Sequence, residues 1–421
     1  MRNFSKVTAL AILMSVSGAS LTAPVLAAPD YAKIEERKKA KTKIMGERTG
    51  KKVIKAFDLY NEDDVDGAIA LLKELDPSND FDKATVNRYL GSMYAQKEQY
   101  KVAIKYMKAA IAPDVLNFAD QAQGLKTLGD MYAGTEQYSA AKQAYSDWMD
   151  FTGEEDPKVY TRIAQASYEL KQFNEVLEPA DKAIKLAKEP NKAPYQLKLA
   201  AYFEKKQYQD MVKVAEEIVR VWPEDKKSWV GLGKYYLQTE DYQKGLATME
   251  VAYKNGYFEN EVEYKVLANF YSLNEIPYKA AVTLEKAVKE EKVKRTKQNI
   301  SAIASNYHRS KDIEKAAKYY EEAAKFDNDA ELYRKAGSLL LQSEKFSAAV
   351  VCLNKALELG SDKKGTIYSD LAEAFYTKVS ISKLMLLLLK PWTTQAHVGL
   401  LKVGLHILKI KPLATVLKFS I

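Results

Sequence analysis

The sequence predicts an all-α protein, specifically a right-handed α-solenoid of about nine to ten stacked helix pairs. A two-helix pattern recurs about every 35 residues, and all but one of its copies have a small side chain at the same place. Together with aromatic residues at fixed offsets, this period predicts helix hairpins that bury one another's faces. The marker positions are Ala56, Gly91, Gly129, Ala164, Leu199, Gly233, Ala268, Ala304, Gly337 and Ala372, with Leu199 as the exception.

The clearest copy of the pattern surrounds Gly233. Its sequence places Trp229, Gly233, Tyr236, Tyr242 and Ala252 at the spacing that the other copies follow. A small residue in the first helix lets the second helix approach closely, and the aromatic three residues later fills the space between successive pairs. These residues resemble the tetratricopeptide repeat, and the resemblance covers residues 49–376.

The resemblance also implies which side chains bind a partner. In tetratricopeptide repeats, the residues three before, one after and four after the small position face a concave groove lined by the first helices. Carried onto this chain, the rule selects Arg88, Ser92, Ala95, Lys126, Asp130, Thr161, Gln165, Tyr168, Gln196, Phe203, Val230, Lys234, Leu237, Arg334 and Ser338. Mixed charges with a few apolar anchors fit an extended peptide or a partner helix better than a small-molecule substrate.

The first 27 residues have the features of a signal peptide. Arg2 and Lys6 precede an apolar stretch over residues 7–16, and the segment ends with Ala23-Pro-Val25-Leu-Ala27. Signal peptidase accepts small residues at the third and first places before a cut, so we expect cleavage after Ala27 and export to the periplasm. An uncleaved anchor is the alternative, although the apolar run is short for a membrane span.

Charge argues against nucleic-acid binding. The formal net charge is +8, but two positive charges lie in the signal peptide and seven lysines lie in residues 377–421, which have no acid. The remainder carries 55 basic and 56 acidic residues, without the basic excess of a nucleic-acid binder. A basic lead-in segment covers 28–48, and residues 33–55 hold ten basic and three acidic residues. It is interpreted as a solvated helix, with a partner-binding arm as the alternative.

Nothing in the sequence indicates catalysis, a cofactor or a metal. Outside residues 377–421 there is one histidine, His308, and the chain has one cysteine, Cys352. One histidine and one cysteine are too few ligands for a zinc site, and they are not expected to form a catalytic Cys–His pair. The acidic stretch 62–67 resembles a calcium loop, but Lys73 stands where a bidentate glutamate is required. We therefore expect the residues 61–64 to cap a helix, and we expect no enzymatic activity.

Two functions remain open at this stage, and both are non-enzymatic. The chain as a whole is similar to exported repeat proteins that accompany TonB energy-transduction systems of gamma-proteobacteria. That resemblance implies a periplasmic scaffold or adaptor whose protein partner serves TonB-dependent uptake. The alternative is an envelope assembly, secretion or cell-wall factor that binds other periplasmic proteins.

The last 45 residues depart from the pattern. The tenth copy is in register through Ala372 and Phe375, after which an aromatic is expected at 381 and a small residue at 384. Residues 377–421 are instead leucine-rich and acid-free, which is typical of translation in a shifted reading frame. An authentic apolar tail is the alternative. A membrane span is not expected in the mature chain, because Lys383, Lys390 and Pro391 interrupt the apolar run.

A frame shifted back by one nucleotide restores the pattern at both positions. The shifted codon at Ile381 permits tyrosine or histidine, and the shifted codon at Leu384 permits alanine. We expect resequencing of the gene around codons 370–380 to reveal a one-nucleotide change. An uninterrupted frame shared by independent isolates would contradict this interpretation.

Overall fold

The chain is all-helical over the part that can be described. The computed structural model describes the backbone of residues 29–388, and their side chains except those of 378, 380, 381 and 383–388. These residues form twenty helices and no strand. The predicted signal peptide with its cut after Ala27, and residues 389–421 of the predicted tail, lie outside this range.

The chain divides into two compact units, the first ending at Lys205 and the second beginning at Lys206. The helices of unit 1 are α1 Tyr31–Lys39, α2 Glu47–Asn61, α3 Val65–Lys73, α4 Asp80–Gln96, α5 Tyr100–Ile111, α6 Phe118–Gly134, α7 Tyr138–Thr152, α8 Pro157–Glu169, α9 Asn174–Leu186 and α10 Lys192–Glu204. Those of unit 2 are α11 Tyr208–Val221, α12 Lys226–Gln238, α13 Tyr242–Lys254, α14 Glu261–Leu273, α15 Pro277–Lys289, α16 Lys297–Arg309, α17 Ile313–Ala324, α18 Ala330–Gln342, α19 Phe346–Glu358 and α20 Lys364–Leu388.

The fold is an α-solenoid of tetratricopeptide helix pairs, as predicted. From α2 onward, consecutive helices within each unit pack on one another. Even-numbered helices are the first helices of the pairs, and odd-numbered helices from α3 to α19 are the second helices. Each pair buries its apolar face against its neighbours, so the core runs along each unit between the two rows of helices.

The small marker residues lie where the two helices of a pair meet. Ala56, Ala164 and Ala304 are fully buried. A Cβ added to Gly129 would stand 2.6 Å from the ring of Tyr145, which is itself fully buried. The structure therefore confirms the close approach that the spacing predicted.

The turn inside each pair was not predicted, and it has a constant geometry. A residue with positive φ precedes every second helix from α3 to α19 by two or three positions, and none of these residues is glycine. They are Asp63, Glu98, Glu136, Lys171, Lys206, Glu240, Glu275, Lys311 and Glu344. In the eight turns other than that of Lys206, the next amide donates back to the first helix, for example Gln137 N to Tyr132 O at 2.8 Å. This left-handed turn costs roughly 1 kcal/mol at a non-glycine residue, and the Schellman-type hydrogen bond offsets it.

Helix α20 lacks that turn. The next left-handed position in the series would fall near Val379, but α20 continues to Leu388. A β-branched residue strongly disfavours positive φ, so the helix does not break there. Ala372 and Phe375, the markers of the tenth copy, are exposed on α20. Within residues 29–388, no helix combines the length and the apolar character that a bilayer crossing needs.

The basic lead-in segment forms a largely exposed helix that is docked on unit 1 through a few contacts. Residues 30–46, here called the strap, form α1 and an extended stretch that lies against the second and third pairs of unit 1. Ile34 is 2% exposed, and Arg37 forms an ion pair with Asp114. The basic residues of the strap led to the expectation of a solvated helix, but one of them, Arg37, helps to hold the strap against unit 1.

The acidic stretch after α2 caps the next helix, as expected. The side chain of Asp64 accepts a hydrogen bond from Gly67 N at 2.8 Å, in the first turn of α3. A carboxylate there satisfies a free amide and interacts favourably with the helix dipole.

In unit 2 the same polar arrangement of three side chains occurs three times in succession. A tyrosine in the first helix donates its hydroxyl to a glutamate of the preceding second helix, and a lysine from the start of the following second helix lies over the tyrosine ring. Burial, and then the hydrogen bond to the glutamate, raises the pKa of each tyrosine above 10. The three sets are Glu216–Tyr236–Lys244, Glu250–Tyr271–Lys279 and Glu285–Tyr307–Lys315.

We expect Gly129→Ala to destabilise unit 1 by about 1–3 kcal/mol, because the added methyl group meets a buried, rigid ring. Gly134→Ala in the same helix is the control, since its Cβ would meet nothing within 4 Å. The control should stabilise by about 0.5–1 kcal/mol through helix propensity. Urea unfolding followed by circular dichroism measures both. If the two variants behave alike, the close approach at Gly129 is not a constraint.

We expect Glu285 to contribute stability that acid removes. Burial by itself would raise its pKa, but hydrogen bonds from Lys289, Tyr307 and Tyr319 outweigh burial and lower the pKa of Glu285 from 4.5 to about 2. A lowered carboxyl pKa stabilises the fold above pH 4.5, and the stabilisation is lost as the pH falls towards 2. The contribution is at most about 3 kcal/mol.

Urea unfolding between pH 7 and pH 2.5 tests this, with Glu285→Gln as the variant. The variant should be less stable at pH 7 and lose less stability on acidification than the unmodified chain. Glu314→Gln, which breaks an exposed ion pair with Lys345, is the control and should leave the pH dependence unchanged. An identical acid dependence in all three proteins would contradict the assignment.

Candidate binding face on the first helices

The predicted groove residues lie on the first helices, and they differ in how accessible they are. Ser92, Gln165, Gln196 and Phe203 are exposed. The half-buried members of the predicted set are Arg88, Ala95, Lys126, Asp130, Thr161, Tyr168, Lys234, Leu237, Arg334 and Ser338, and Val230 is buried. We call this surface the first-helix face, and it is described separately for each unit.

The cations of this face in unit 1 are already paired. Arg88 Nη2 lies 2.8 Å from Asp120 Oδ1, and Lys126 Nζ lies 2.6 Å from Asp156 Oδ2. Each pair joins one first helix to the first turn or the N-cap of the next first helix. These side chains therefore hold neighbouring pairs together, and a partner would have to displace an ion pair to reach them.

Unit 2 repeats the arrangement. Lys234 Nζ lies 3.9 Å from Glu263 Oε1, the buried glutamate of the α14 capping box. Lys297, which the groove rule did not select, lies 2.7 Å from Asp329 Oδ2 at the N-cap of α18. A cation followed by an acid about 30 residues later is the sequence signal that could have identified these pairs.

Electrostatics at Asp156 shows that the pairing is favourable. Burial alone would raise its pKa, but hydrogen bonds from Lys126 Nζ and from the backbone N–H of Lys158 outweigh burial and lower the pKa of Asp156. The carboxylate is thus held in its charged form, as is Asp329 beside Lys297. Both aspartates also cap their helices, which links capping to the contact between pairs.

A polar cavity of about 330 Å³ lies between α6 and α8 in unit 1. Asp130 lines the cavity, accepts a hydrogen bond from Tyr145 Oη at 2.7 Å and lies 3.0 Å from Arg162 Nε. Burial, and then the bond to Asp130, raises the pKa of Tyr145. Gln165 lines the same cavity, so two predicted residues meet here. The cavity is lined by Asp130, Ala133, Gly134, Tyr138, Arg162, Gln165 and Ala166.

Sequence reasoning missed Arg162 and Tyr138. Arg162 lies two positions before the small residue Ala164, outside the offsets of the groove rule, and its side chain is 50% exposed. Tyr138 is the first residue of the second helix α7, and the groove rule selects only residues of first helices. Its ring reaches the cavity because α7 begins directly behind α6.

The remaining predicted residues supply apolar surface or internal pairs. Tyr168 packs its ring against Phe173, with 5.5 Å between the centroids, and Phe203 is 51% exposed. Arg334 is held by both carboxylate oxygens of Glu331, at 2.8 and 2.6 Å. Ser338 Oγ donates to Asp370 Oδ2 at 2.5 Å, which joins α18 to α20.

The arrangement favours a neutral, extended partner. Amide and hydroxyl groups of Ser92, Gln165 and Gln196 are accessible, whereas most cations of the face already have an acidic partner. Exposed amides bind the backbone of an extended chain, and the half-buried aromatics offer apolar contacts. Within residues 29–388, no three histidine, cysteine or acidic side chains lie close enough together to hold a metal ion.

Comparison with known proteins gives similarities of fold. A family model described as ChAPs (Chs5p-Arf1p-binding proteins) matches residues 154–319. No curated protein sequence matches the chain. The nine turns and the buried small residues of this chain establish its fold independently of these matches.

Among solved structures, the chain is similar to a tetratricopeptide repeat protein from Parabacteroides merdae, with 14% identity over 78% of this chain and 100% of that chain, and a TM-score of 0.36. It is also similar to MamA from Desulfovibrio magneticus, with 16% identity over 42% and 96% of the two chains and a TM-score of 0.34. YrrB, described as a TPR protein with an unusual peptide-binding site, has 19% identity over 47% and 97% and a TM-score of 0.36.

Proposed function

We propose that this protein is a non-enzymatic periplasmic scaffold or adaptor that binds an extended segment of a protein partner on its first-helix face. The observation that carries the proposal is the cavity around Asp130. There a predicted groove residue is held by Tyr145 and Arg162, and the exposed amide of Gln165 lies beside it. A polar cavity whose aspartate is held in place by two partners, with an exposed amide beside it, is suited to fixing one point of an extended chain.

The partner and the compartment are inferred from the sequence. The predicted signal peptide supports export, and the similarity to TonB-associated repeat proteins supports a role in TonB-dependent uptake. An envelope assembly, secretion or cell-wall factor is the alternative. The same face would serve either role, because fold alone does not determine which protein is bound.

Site-specific photo-crosslinking in cells distinguishes these roles. A photoreactive residue replaces Gln165 in the full-length protein, and the control carries it at Lys105, an exposed position on the second helix α5. We expect adducts from position 165 and not from position 105. TonB or its motor proteins in the adduct support the uptake role, whereas assembly or cell-wall proteins support the alternative.

The same cells test the compartment. We expect the periplasmic fraction to contain a protein whose mass corresponds to a chain beginning at Ala28. Adducts in equal amount from both positions would contradict binding by the first-helix face, and an uncleaved chain in the cytoplasm would contradict export.

A further inference from the structure

The strap is held on unit 1 partly through its backbone. Asn117, the N-cap residue of α6, does not cap that helix with its side chain. Instead its Oδ1 accepts Lys43 N at 2.8 Å and its Nδ2 donates to Lys43 O at 3.1 Å. Asp82, which is 2% exposed, accepts Gly46 N at 3.1 Å. Paired contacts of this kind recognise an extended main chain and place no demand on its side chains.

Three further contacts select cations on the strap. The guanidinium of Arg37 lies 4.5 Å from the centroid of the Phe151 ring and pairs with Asp114. The Phe118 ring stacks on Phe151 with 5.2 Å between the centroids, and Lys38 lies over it. We call the surface formed by Asp82, Asp114, Asn117, Phe118 and Phe151 the docking edge. Its chemistry fits a basic segment.

The strap buries little of itself on this edge. Ile34 is the single buried residue of the strap, and it lies against Gly153 at the end of α7. Ile44, by contrast, is 88% exposed, and Tyr31 is 61% exposed. Each second helix of the array buries three or more residues. The strap therefore contacts unit 1 as a short peptide ligand does, through one apolar anchor and a row of polar contacts.

We propose that the docking edge is a peptide-binding site whose resident ligand is the strap, and that a basic segment of a partner protein, helical where it carries the apolar anchor and extended after it as the strap is, binds there by displacing it. The matching segment has an aliphatic residue three positions before an arginine, as Ile34 and Arg37 have. This site lies at the ends of the helices and does not depend on the role proposed for the first-helix face.

A competition experiment on the full-length mature chain tests the proposal. The probe is a fluorescent peptide of residues 30–46, and its binding is followed by fluorescence anisotropy. Ile34→Asp weakens the chain's own strap, so this variant should bind the probe at least about tenfold more tightly than the unmodified chain, whose tethered strap competes. Ile44→Asp is the matched control, because Ile44 is exposed, and it should bind as weakly as the unmodified chain.

Two further variants identify the site. Adding Asp114→Lys to Ile34→Asp should abolish binding, and a probe carrying Arg37→Glu should not bind. Ile34→Ala, a milder change, repeats the measurement if Ile34→Asp fails to fold. Equal affinity of the unmodified and Ile34→Asp chains, or no binding to a folded Ile34→Ala chain, would overturn the proposal. Unfolding of unit 1 in both variants, or a strap-exchanged dimer that the probe cannot dissociate, would also overturn it.

Discussion

The structure depends on how closely the two helices of each pair approach at one small residue. At Gly129 the ring of Tyr145 occupies the space that a side chain would need, and at Gly337 the branched carbon of Leu353 does the same. Because the second helix sits directly on the first at this point, the side chain three residues later, Tyr132 or Leu340, faces the neighbouring pair. The Tyr–Glu–Lys sets of unit 2 and the cavity beside Asp130 in unit 1 both form next to such contacts.

Polar side chains then hold neighbouring pairs in register. Lys126 with Asp156 and Lys297 with Asp329 connect a first helix to the N-cap of the next one. The same aspartates are the N-cap residues of α8 and α18, so each of them determines both where its helix begins and which neighbouring helix it contacts. A face built in this way has few free charges, and its capacity to bind comes from amides, aromatic rings and shape.

The sequence was sufficient for the fold because its signal repeats. A glycine or alanine about every 35 residues indicated the helix pairs, and Asp64 was expected to cap α3, as it does. The left-handed turns were not predicted, since residues such as Glu98, Glu136 and Lys171 have no strong preference for positive φ and adopt it in the context of the pair. At Val379, by contrast, the β-branched side chain explains why α20 has no left-handed turn at the position where the series would place one.

The candidate site was less accessible to sequence reasoning. The offset rule found Asp130 and Gln165 but not Arg162, because contacts between pairs depend on side-chain length as well as on position. It also selected Arg88 and Lys126 as groove residues without showing that Asp120 and Asp156 neutralise them. The docking of the strap on unit 1 could not be predicted for a similar reason. A run of lysines and arginines is usually solvated, and here Phe118, Phe151 and Asp114 become its partners only after the chain has folded.

Amide hydrogen exchange of the unmodified protein tests the central claim most directly, by comparing α16 with α20. In α16, Ala304 and Tyr307 are fully buried against the next helix, whereas Ala372 and Phe375 in α20 are exposed. If contact at the small position stabilises each first helix, amides around residues 303–308 should exchange far more slowly than those around 371–376. Equal protection of the two helices would contradict the account.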